Sequence, residues 1–161
     1  MKKNPFTIIM LVFNVSFVMA QQPQSFSIDI PGVGYVAQKQ SNWCWAACNQ
    51  ILLNAKDISE SQDNQVTKLF GSRINSGAGP NFEKAKLALG GIYTTNSGNQ
   101  VRGVPYVSYL SQRNSTDPFV IINHLKASIP VVMATQGHGR VCTGIDYVQN
   151  GTHIQITTMI C

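Results

Sequence analysis

The sequence predicts an α+β fold with its helices first and an antiparallel sheet last. Apolar residues recur at helical spacing after Asn42 and again within residues 62–89. From Pro130 onward, the pattern changes to short apolar runs typical of strands, and Asn150-Gly151 is a strong hairpin signal between the last two. Helices in one part of a chain and strands in another are typical of a segregated α+β domain.

The first twenty residues predict a secretory signal peptide. Two lysines precede an apolar run, and the segment ends in Val18-Met19-Ala20, with small residues at the outer and final positions. A single membrane anchor is the alternative, but the apolar run is short for a bilayer span and no basic stop follows it. We therefore expect a secreted or periplasmic protein without stable membrane insertion. Residues 21–33 are interpreted as a linker with a short strand, and residues 34–161 as one domain.

Charge limits the class of partner. Of twelve Lys and Arg residues, two are in the leader, which leaves ten against seven acidic residues and a net charge of +3. The basic residues are scattered along the chain, whereas a nucleic-acid surface gathers them on one face. We therefore expect no nucleic-acid partner. The mature chain is long enough to bury a core of its own, and we expect a monomer.

Local signals predict the individual elements. The stretch "SFSIDIP" alternates as a short strand, and the first helix is expected to begin at or just before Cys44, with Asn42 as a candidate cap. Two further helices are predicted at about residues 62–70 and 81–89, whereas "VPYVSYL" is too short to assign. Asp117-Pro118 is typical of a helix start. The strands "PVVMAT", "RVCTGIDYV" and "THIQITTMI" follow.

The stretch "QKQSNWCWAAC" predicts a nucleophile at Cys44. A cysteine at a helix N-terminus has its thiolate stabilised by the helix dipole and by free backbone N–H groups, and the thiolate is the reactive form. Such a cysteine also needs a base and an oxyanion site. Gln38 stands six residues earlier. Its side-chain amide, together with the backbone N–H of Cys44, would hold a developing oxyanion.

The base is expected to be one of three histidines. His124 lies inside a predicted amphipathic helix, where a packing or surface role is expected. His153 follows a tight hairpin turn and is expected to be exposed. His138 stands at the start of a strand, after a glycine that permits close approach of a substrate or another backbone. We therefore select His138 as the candidate base.

These segments resemble papain-like cysteine peptidases. In that family an oxyanion glutamine precedes the catalytic cysteine by six residues and a Trp-Ala pair follows it, as in Gln38-x5-Cys44-Trp45-Ala46. The stretch "IINHLKASIPVVMATQGHGRVCTGIDY" is similar to the bacterial secreted and effector branch, in which a helix, a Pro-Val strand and a Gly-His strand follow one another. The resemblance covers about residues 34–161. It implies a papain-like fold, hydrolysis of protein or peptide substrates by Cys44 and His138, an oxyanion role for Gln38, and no metal or organic cofactor.

The chain departs from the family at the third triad position. Papain-like enzymes orient the histidine with an Asn or Asp that follows the next strand. Here the last such residue is Asn150, in the hairpin turn, while Asp146 stands where the family has a non-catalytic acid. We assign no residue to the third triad position. Three kinds of protein would lack it: an enzyme truncated at its C-terminus, a peptidase that works with a dyad, and a domain that binds without turnover. Acyl transfer to an amine is a further alternative for the same thioester chemistry.

Four cysteines leave other assignments open. One half of a disulfide is the alternative for Cys44 in an exported chain. Cys44-x3-Cys48 and His138-x3-Cys142 also suggest a zinc site. However, residues four apart along a strand are separated by about 13 Å, too far for one ion with bonds of about 2.0–2.3 Å. For the remaining thiols, we expect either a Cys48–Cys142 disulfide or a disulfide in which Cys161 is the partner.

Overall fold

The computed structural model describes residues 22–103, 117–135 and 138–161. Within these ranges the chain forms four α-helices and seven strands, and every strand pairing is antiparallel, which confirms the predicted α+β class. None of the helices in these ranges is long and apolar enough to cross a bilayer.

After a first strand, β1 (Gln24–Asp29), the chain is helical up to residue 89. The helical elements are α1 (Cys44–Asn54), α2 (Gln62–Phe70), a 3-10 turn (Pro80–Phe82) and α3 (Glu83–Leu89). The bounds of α2 are those predicted, because the Ser61 hydroxyl accepts a hydrogen bond from the Asn64 N–H (3.1 Å) and caps the first turn. The third helix is shorter than predicted, since its first turn is the 3-10 segment.

The start of α1 at Cys44 is confirmed, but its cap is not the one expected. The residue before the helix is Trp43, which makes no side-chain capping bond. Asn42 instead contacts Asn75: its N–H donates to the Asn75 side-chain oxygen (3.0 Å), and its side-chain amide donates to the Asn75 carbonyl (3.3 Å). The predicted Asn42 cap is therefore wrong, because this side chain fastens a distant loop.

After the third helix comes a hairpin that apolar periodicity did not predict. It consists of β2 (Gly91–Thr94) and β3 (Gln100–Gly103). The Thr95 N–H donates to the Asn99 carbonyl (2.8 Å) across the turn. The Asn96 side-chain amide donates to the Asp57 carboxylate (2.9 Å), which fastens the turn to the end of the α1 region. The hairpin is held by these polar contacts and by Tyr93, which packs with Leu53 and Ile58. The apolar Ile92 beside Tyr93 is exposed, so the strand has no apolar–polar alternation in its sequence.

The helix predicted from Asp117-Pro118 is confirmed as α4 (Pro118–Lys126). The Asp117 carboxylate accepts a hydrogen bond from the Phe119 N–H (2.9 Å), so it caps the first turn. The predicted strand after Pro130 is β4 (Val131–Thr135), and it pairs with β5 (His138–Cys142). The unassigned stretch "VPYVSYL" lies outside the described residues.

The stretch "RVCTGIDYV" was predicted as one strand and forms two. Strand β5 ends at Cys142, and β6 (Gly144–Asn150) begins after Thr143. At this point the chain changes partners, because β6 is the central strand between β1 (Gln24–Asp29) and β7 (His153–Ile160). The Thr143 N–H donates to the Ile160 carbonyl (2.9 Å). The predicted histidine strand therefore belongs to the β4–β5 ribbon, whereas the Asn150-Gly151 hairpin joins β6 and β7 as predicted.

Three hydrophobic clusters of the described residues hold these elements, and the smallest of them, Leu53, Ile58 and Tyr93, packs β2 against the α1 region. The first packs α1, α2 and α3 around the fully buried Trp45, and includes Trp43, Ala46, Val66, Ala78, Ala85 and Ala88. The second packs α4 against the β1–β6–β7 sheet around Ile145, and includes Ile30, Ile121, Ile122, Leu125 and Tyr147. Helix α1 also contacts β5. The candidate site residues lie on these two elements and on the segment before α1.

Candidate active site

Cys44 is the first residue of α1, and its side chain is only 7% exposed. The tryptophans on either side of it are buried and fix the start of the helix. The Trp43 Nε1–H donates to the Ile74 carbonyl (2.9 Å), and the Trp45 Nε1–H donates to the Ser76 carbonyl (3.0 Å). The two rings therefore hold this end of α1 against one segment of the chain.

Cys48, one helical turn after Cys44, packs against β5 at Gly139. A Cβ atom placed on Gly139 would lie 3.2 Å from the Cys48 Sγ and 2.6 Å from the Phe82 Cζ. Non-bonded carbon atoms do not approach to 2.6 Å, so only glycine lets the strand come this close to the Phe82 ring. Burial raises the pKa of the Cys48 thiol to about 12, and the neighbouring Cys44 adds to the shift. Cys48 is therefore a protonated thiol at neutral pH.

The start of β5 lies beside α1. Gly139 is the second residue of β5, and it packs against Cys48, one turn after Cys44. His138 directly precedes Gly139, so it adjoins the contact between the two elements. At the far end of the ribbon, Cys142, the last residue of β5, is paired with Val131 of β4.

The His138 side chain is exposed. Side chains of successive strand residues leave on opposite faces, so the His138 side chain leaves β5 on the face away from the Gly139–Cys48 contact. At Cys48 the helix thus meets the strand backbone rather than the imidazole. Catalytic hydrogen bonds are often long or poorly aligned in structures without substrate and tighten when substrate binds.

The other two histidines are placed as their sequence contexts predicted. The His124 Nδ1 lies 2.7 Å from the Val120 carbonyl, one turn earlier on α4, and the side chain is half-buried. His153 is the first residue of β7, is paired with Asn150 and is exposed. Neither residue belongs to α1 or β5, the two elements that meet at Cys48 and Gly139.

Gln38 lies in the turn that leads into α1. Its side chain is exposed, and its Nε2 donates to the Ser41 carbonyl (3.1 Å). The peptide groups before and after it are hydrogen-bonded to the side chain of Gln62, the first residue of α2. Sequence reasoning missed Gln62, because a glutamine in the first turn of a helix is ordinarily solvent-exposed and this one is buried.

The disulfide joins Cys142 to Cys161, nineteen residues later. Of the two expected pairings, Cys48–Cys142 is therefore wrong, and Cys161 is the partner. Cys44 and Cys48 both keep thiols, so Cys44 is not half of a disulfide. The alternative zinc site would need Cys142 as a thiolate ligand, and the Cys142 sulfur is in the disulfide instead. Among the described residues, no group of three or more His, Cys, Asp or Glu side chains is arranged to hold a metal ion.

The third triad position stays unassigned. Asp146 lies in β6, opposite Thr158 of β7, and its backbone carbonyl accepts a hydrogen bond from the Thr157 hydroxyl (3.0 Å). Asn150 ends β6 at the hairpin. Both residues therefore belong to the three-stranded sheet, whereas His138 begins the β4–β5 ribbon.

Comparison of the chain with protein-family models, curated proteins and solved structures finds no match. The likeness to papain-like enzymes is thus carried by the motifs around Cys44 and His138 alone.

Proposed function

We propose that this chain is an exported papain-like cysteine peptidase that hydrolyses peptide bonds. The observation that best supports the proposal is the meeting of α1 and β5. The contact joins Cys48, one turn after Cys44, to Gly139, the residue after His138. A thiol and an imidazole on two packed elements, each close in sequence to the contact, are the components of a Cys-His mechanism.

The reaction would proceed in two steps. In the first, the Cys44 sulfur attacks the scissile carbonyl, His138 takes the thiol proton and then gives it to the leaving amine, and a thioester forms as the C–N bond breaks. In the second, water attacks the thioester while His138 takes its proton and returns it to the departing sulfur. Gln38 and the Cys44 N–H would donate hydrogen bonds to the oxyanion formed in each step.

The surroundings of the two thiols support Cys44 as the nucleophile. It is the first residue of a helix, whose positive end stabilises a thiolate. Cys48 is excluded, because its sulfur packs against the backbone of β5 and its raised pKa keeps it protonated. The buried tryptophans beside Cys44 would limit access of water to the thiolate.

A papain-like domain that binds without turnover is the second candidate. Two observations favour it: the third triad position is unassigned, and the His138 side chain leaves β5 on the face away from the contact with Cys48. The peptidase proposal requires the imidazole to turn over the exposed start of β5 when substrate binds.

Thiol labelling and cleavage of fluorescein-labelled casein test the proposal together. The mature protein is treated with iodoacetamide at neutral pH, with the Cys142–Cys161 disulfide left intact. We expect Cys44 to be alkylated and Cys48 to be spared. His138→Ala should slow the alkylation, and Cys44→Ala or His138→Ala should lower casein cleavage by about 10³-fold or more. The control variant Cys48→Ala keeps the proposed machinery and should retain cleavage.

The outcomes separate the two candidates. Alkylation of Cys44 that depends on His138, without cleavage of casein or of a peptide library, would favour the binding domain. Equal alkylation of both thiols would refute an activated nucleophile at Cys44.

For the exported location, the N-terminal sequence of the secreted product should begin at Gln21, and retention of the leader would contradict export by cleavage.

A further inference from the structure

One buried side chain holds the segment that carries Gln38. The Lys39 N–H donates to the Gln62 Oε1 (2.9 Å), and the Gln62 Nε2 donates to the Ala37 carbonyl (2.8 Å). A single carboxamide therefore bonds the peptide groups on both sides of Gln38, as a neighbouring β-strand would. The backbone at Gln38 has these bonds because of a residue 24 positions later in the chain.

The same carboxamide reaches the nucleophile helix. Gln62 is 1% exposed, and its Nε2 also lies within hydrogen-bonding distance (3.2 Å) of the Gln50 Oε1 on α1. Its oxygen accepts one bond and its nitrogen donates two, so this buried group has a partner for each of its N–H bonds. Gln62 thus connects the segment that carries Gln38 to the helix that begins at Cys44.

An ion pair adds a second connection on the solvent side. The Lys39 ammonium contacts the carboxylate of Asp63, the residue after Gln62, and the Arg73 Nε lies 3.3 Å from the same carboxylate. The hydrogen bond from Lys39, followed by the charges of Arg73 and Lys39, lowers the pKa of Asp63 despite some desolvation. The first turn of α2 therefore holds residues 37–39 through both a buried carboxamide and a half-buried carboxylate.

From this arrangement we propose that Gln62 is a positioning residue for the oxyanion site. It holds the segment carrying Gln38 at a set distance from α1, so that the Gln38 amide and the Cys44 N–H can act on one oxygen. An oxyanion donor is effective only at about 2.7–3.1 Å from that oxygen. A displacement of about 1 Å lowers turnover by up to about 100-fold. This inference rests on the proposed peptidase function.

Gln65 provides a matched control on the same helix. It is also a glutamine with 1% exposure, and its Nε2 donates to the Ala46 carbonyl on α1 (3.2 Å). Its Oε1 is buried without a hydrogen-bond partner. Gln65 therefore resembles Gln62 in residue type, burial and contact with α1, but its hydrogen bond is to α1 and not to residues 37–39.

The test compares Gln62→Met with Gln65→Met, with Gln38→Ala as the reference for a lost oxyanion donor. Three quantities are measured: kcat and KM on fluorescein-labelled casein, the rate of Cys44 alkylation by iodoacetamide, and hydrogen exchange at the Lys39 amide. For Gln62→Met we expect kcat to fall about 10- to 100-fold with little change in KM. The alkylation rate should stay close to that of the wild type, and the Lys39 amide should lose protection. Gln65→Met should keep both kcat and the protection.

Each deviation has a separate meaning. Unchanged Lys39 protection and kcat in Gln62→Met would overturn the proposal, and so would an equal loss of kcat in Gln65→Met, because packing alone would then account for it. If Gln38→Ala turns over casein as fast as wild type, Gln38 is not an oxyanion donor, and that part of the proposed function fails. Hydrogen exchange at the Lys39 amide then still decides whether Gln62 holds the segment. If Gln62→Met does not fold, Gln62→Glu keeps the acceptor for Lys39 and removes the donor to Ala37. Its kcat should also fall, and a wild-type value would contradict the proposal.

Discussion

Two cysteines one helical turn apart have different chemistry because they meet different surroundings. Cys44 lies at the start of α1, where backbone N–H groups are not used within the helix. Cys48 packs against the backbone of Gly139, and burial raises its pKa to about 12. Since the thiolate is the reactive form of cysteine, Cys48 is unreactive at neutral pH. At the residue scale, position along the helix is what favours Cys44 over Cys48 as the proposed nucleophile.

The raised pKa of Cys48 predicts a loss of stability at alkaline pH. The ordinary pKa of 9.0 applies to the unfolded chain, and the folded value is about 12. Between these values the unfolded state releases the proton and the folded state keeps it. The free energy of unfolding should therefore fall by up to about 1.4 kcal/mol per pH unit above pH 9. The free energies of unfolding of wild type and Cys48→Ala are measured with urea from pH 7 to 10.5. The difference between these free energies should shrink above pH 9, and a constant difference would refute the raised pKa of Cys48.

Gly139→Ala should destabilise the protein. The added methyl would lie 2.6 Å from the Phe82 Cζ and 2.7 Å from its Cε1, so the β4–β5 ribbon or the ring must move. Overpacking of this kind costs about 1–3 kcal/mol, measured by urea unfolding. Casein cleavage should fall as well, because His138 moves with the strand. Phe82→Leu removes both ring atoms and should recover part of the loss in the double variant. The absence of any recovery would show that the clash is elsewhere.

At the scale of elements, α2 holds the segment before α1 in addition to packing in the core. Its first two residues, Gln62 and Asp63, hold residues 37–39, while Val66 is buried in the first cluster. The start of this helix therefore matters more for the site than its sequence pattern suggests. The Ser61 cap is what sets that start.

Ser61→Ala should destabilise the protein by about 1 kcal/mol, because the Asn64 N–H loses its acceptor. Ser61→Asp supplies another acceptor and a negative charge at the helix N-terminus, and it should restore most of the stability. The midpoint of urea unfolding at pH 7 reports both changes. Equal losses in the two variants would mean that the hydroxyl acts through some contact other than the cap.

At the scale of the whole molecule, the strand that begins with His138 is tied to residues far from it in the chain. The disulfide joins Cys142, the last residue of β5, to Cys161, which directly follows β7. Strand β6, which follows β5, pairs with β1 along its length, so the segment after the predicted leader belongs to the three-stranded sheet. The disulfide therefore links the histidine strand to that sheet.

Loss of this disulfide should lower stability by about 3 kcal/mol. Cys161→Ser is the suitable variant, because Cys161 is exposed whereas Cys142 is fully buried and a hydroxyl there would add a second effect. Thermal unfolding of Cys161→Ser should match that of the wild type under reducing conditions and lie well below that of the oxidised wild type. Equal melting temperatures with and without reductant would show that the bond does not contribute.

Elements with local signals were predicted well, and those that depend on distant partners were not. The bounds of α2, the Asp117 cap and the Asn150-Gly151 hairpin each depend on a few neighbouring residues. The break at Thr143 has no such signal, because it arises where the chain leaves β4 and pairs with β1 and β7. The β2–β3 hairpin is held partly by Asp57, more than thirty residues earlier.

The sequence by itself determined the residue types of the candidate site and their local settings: a cysteine at a helix start, a glutamine six residues before it, and a histidine at a strand start. Only the tertiary structure decided that Cys142 pairs with Cys161, that Cys48 packs against Gly139, and that Gln62 holds the segment carrying Gln38. Propensity, capping and periodicity act over a few residues. These contacts join residues separated by nineteen or more positions, and only packing of the whole chain selects among them.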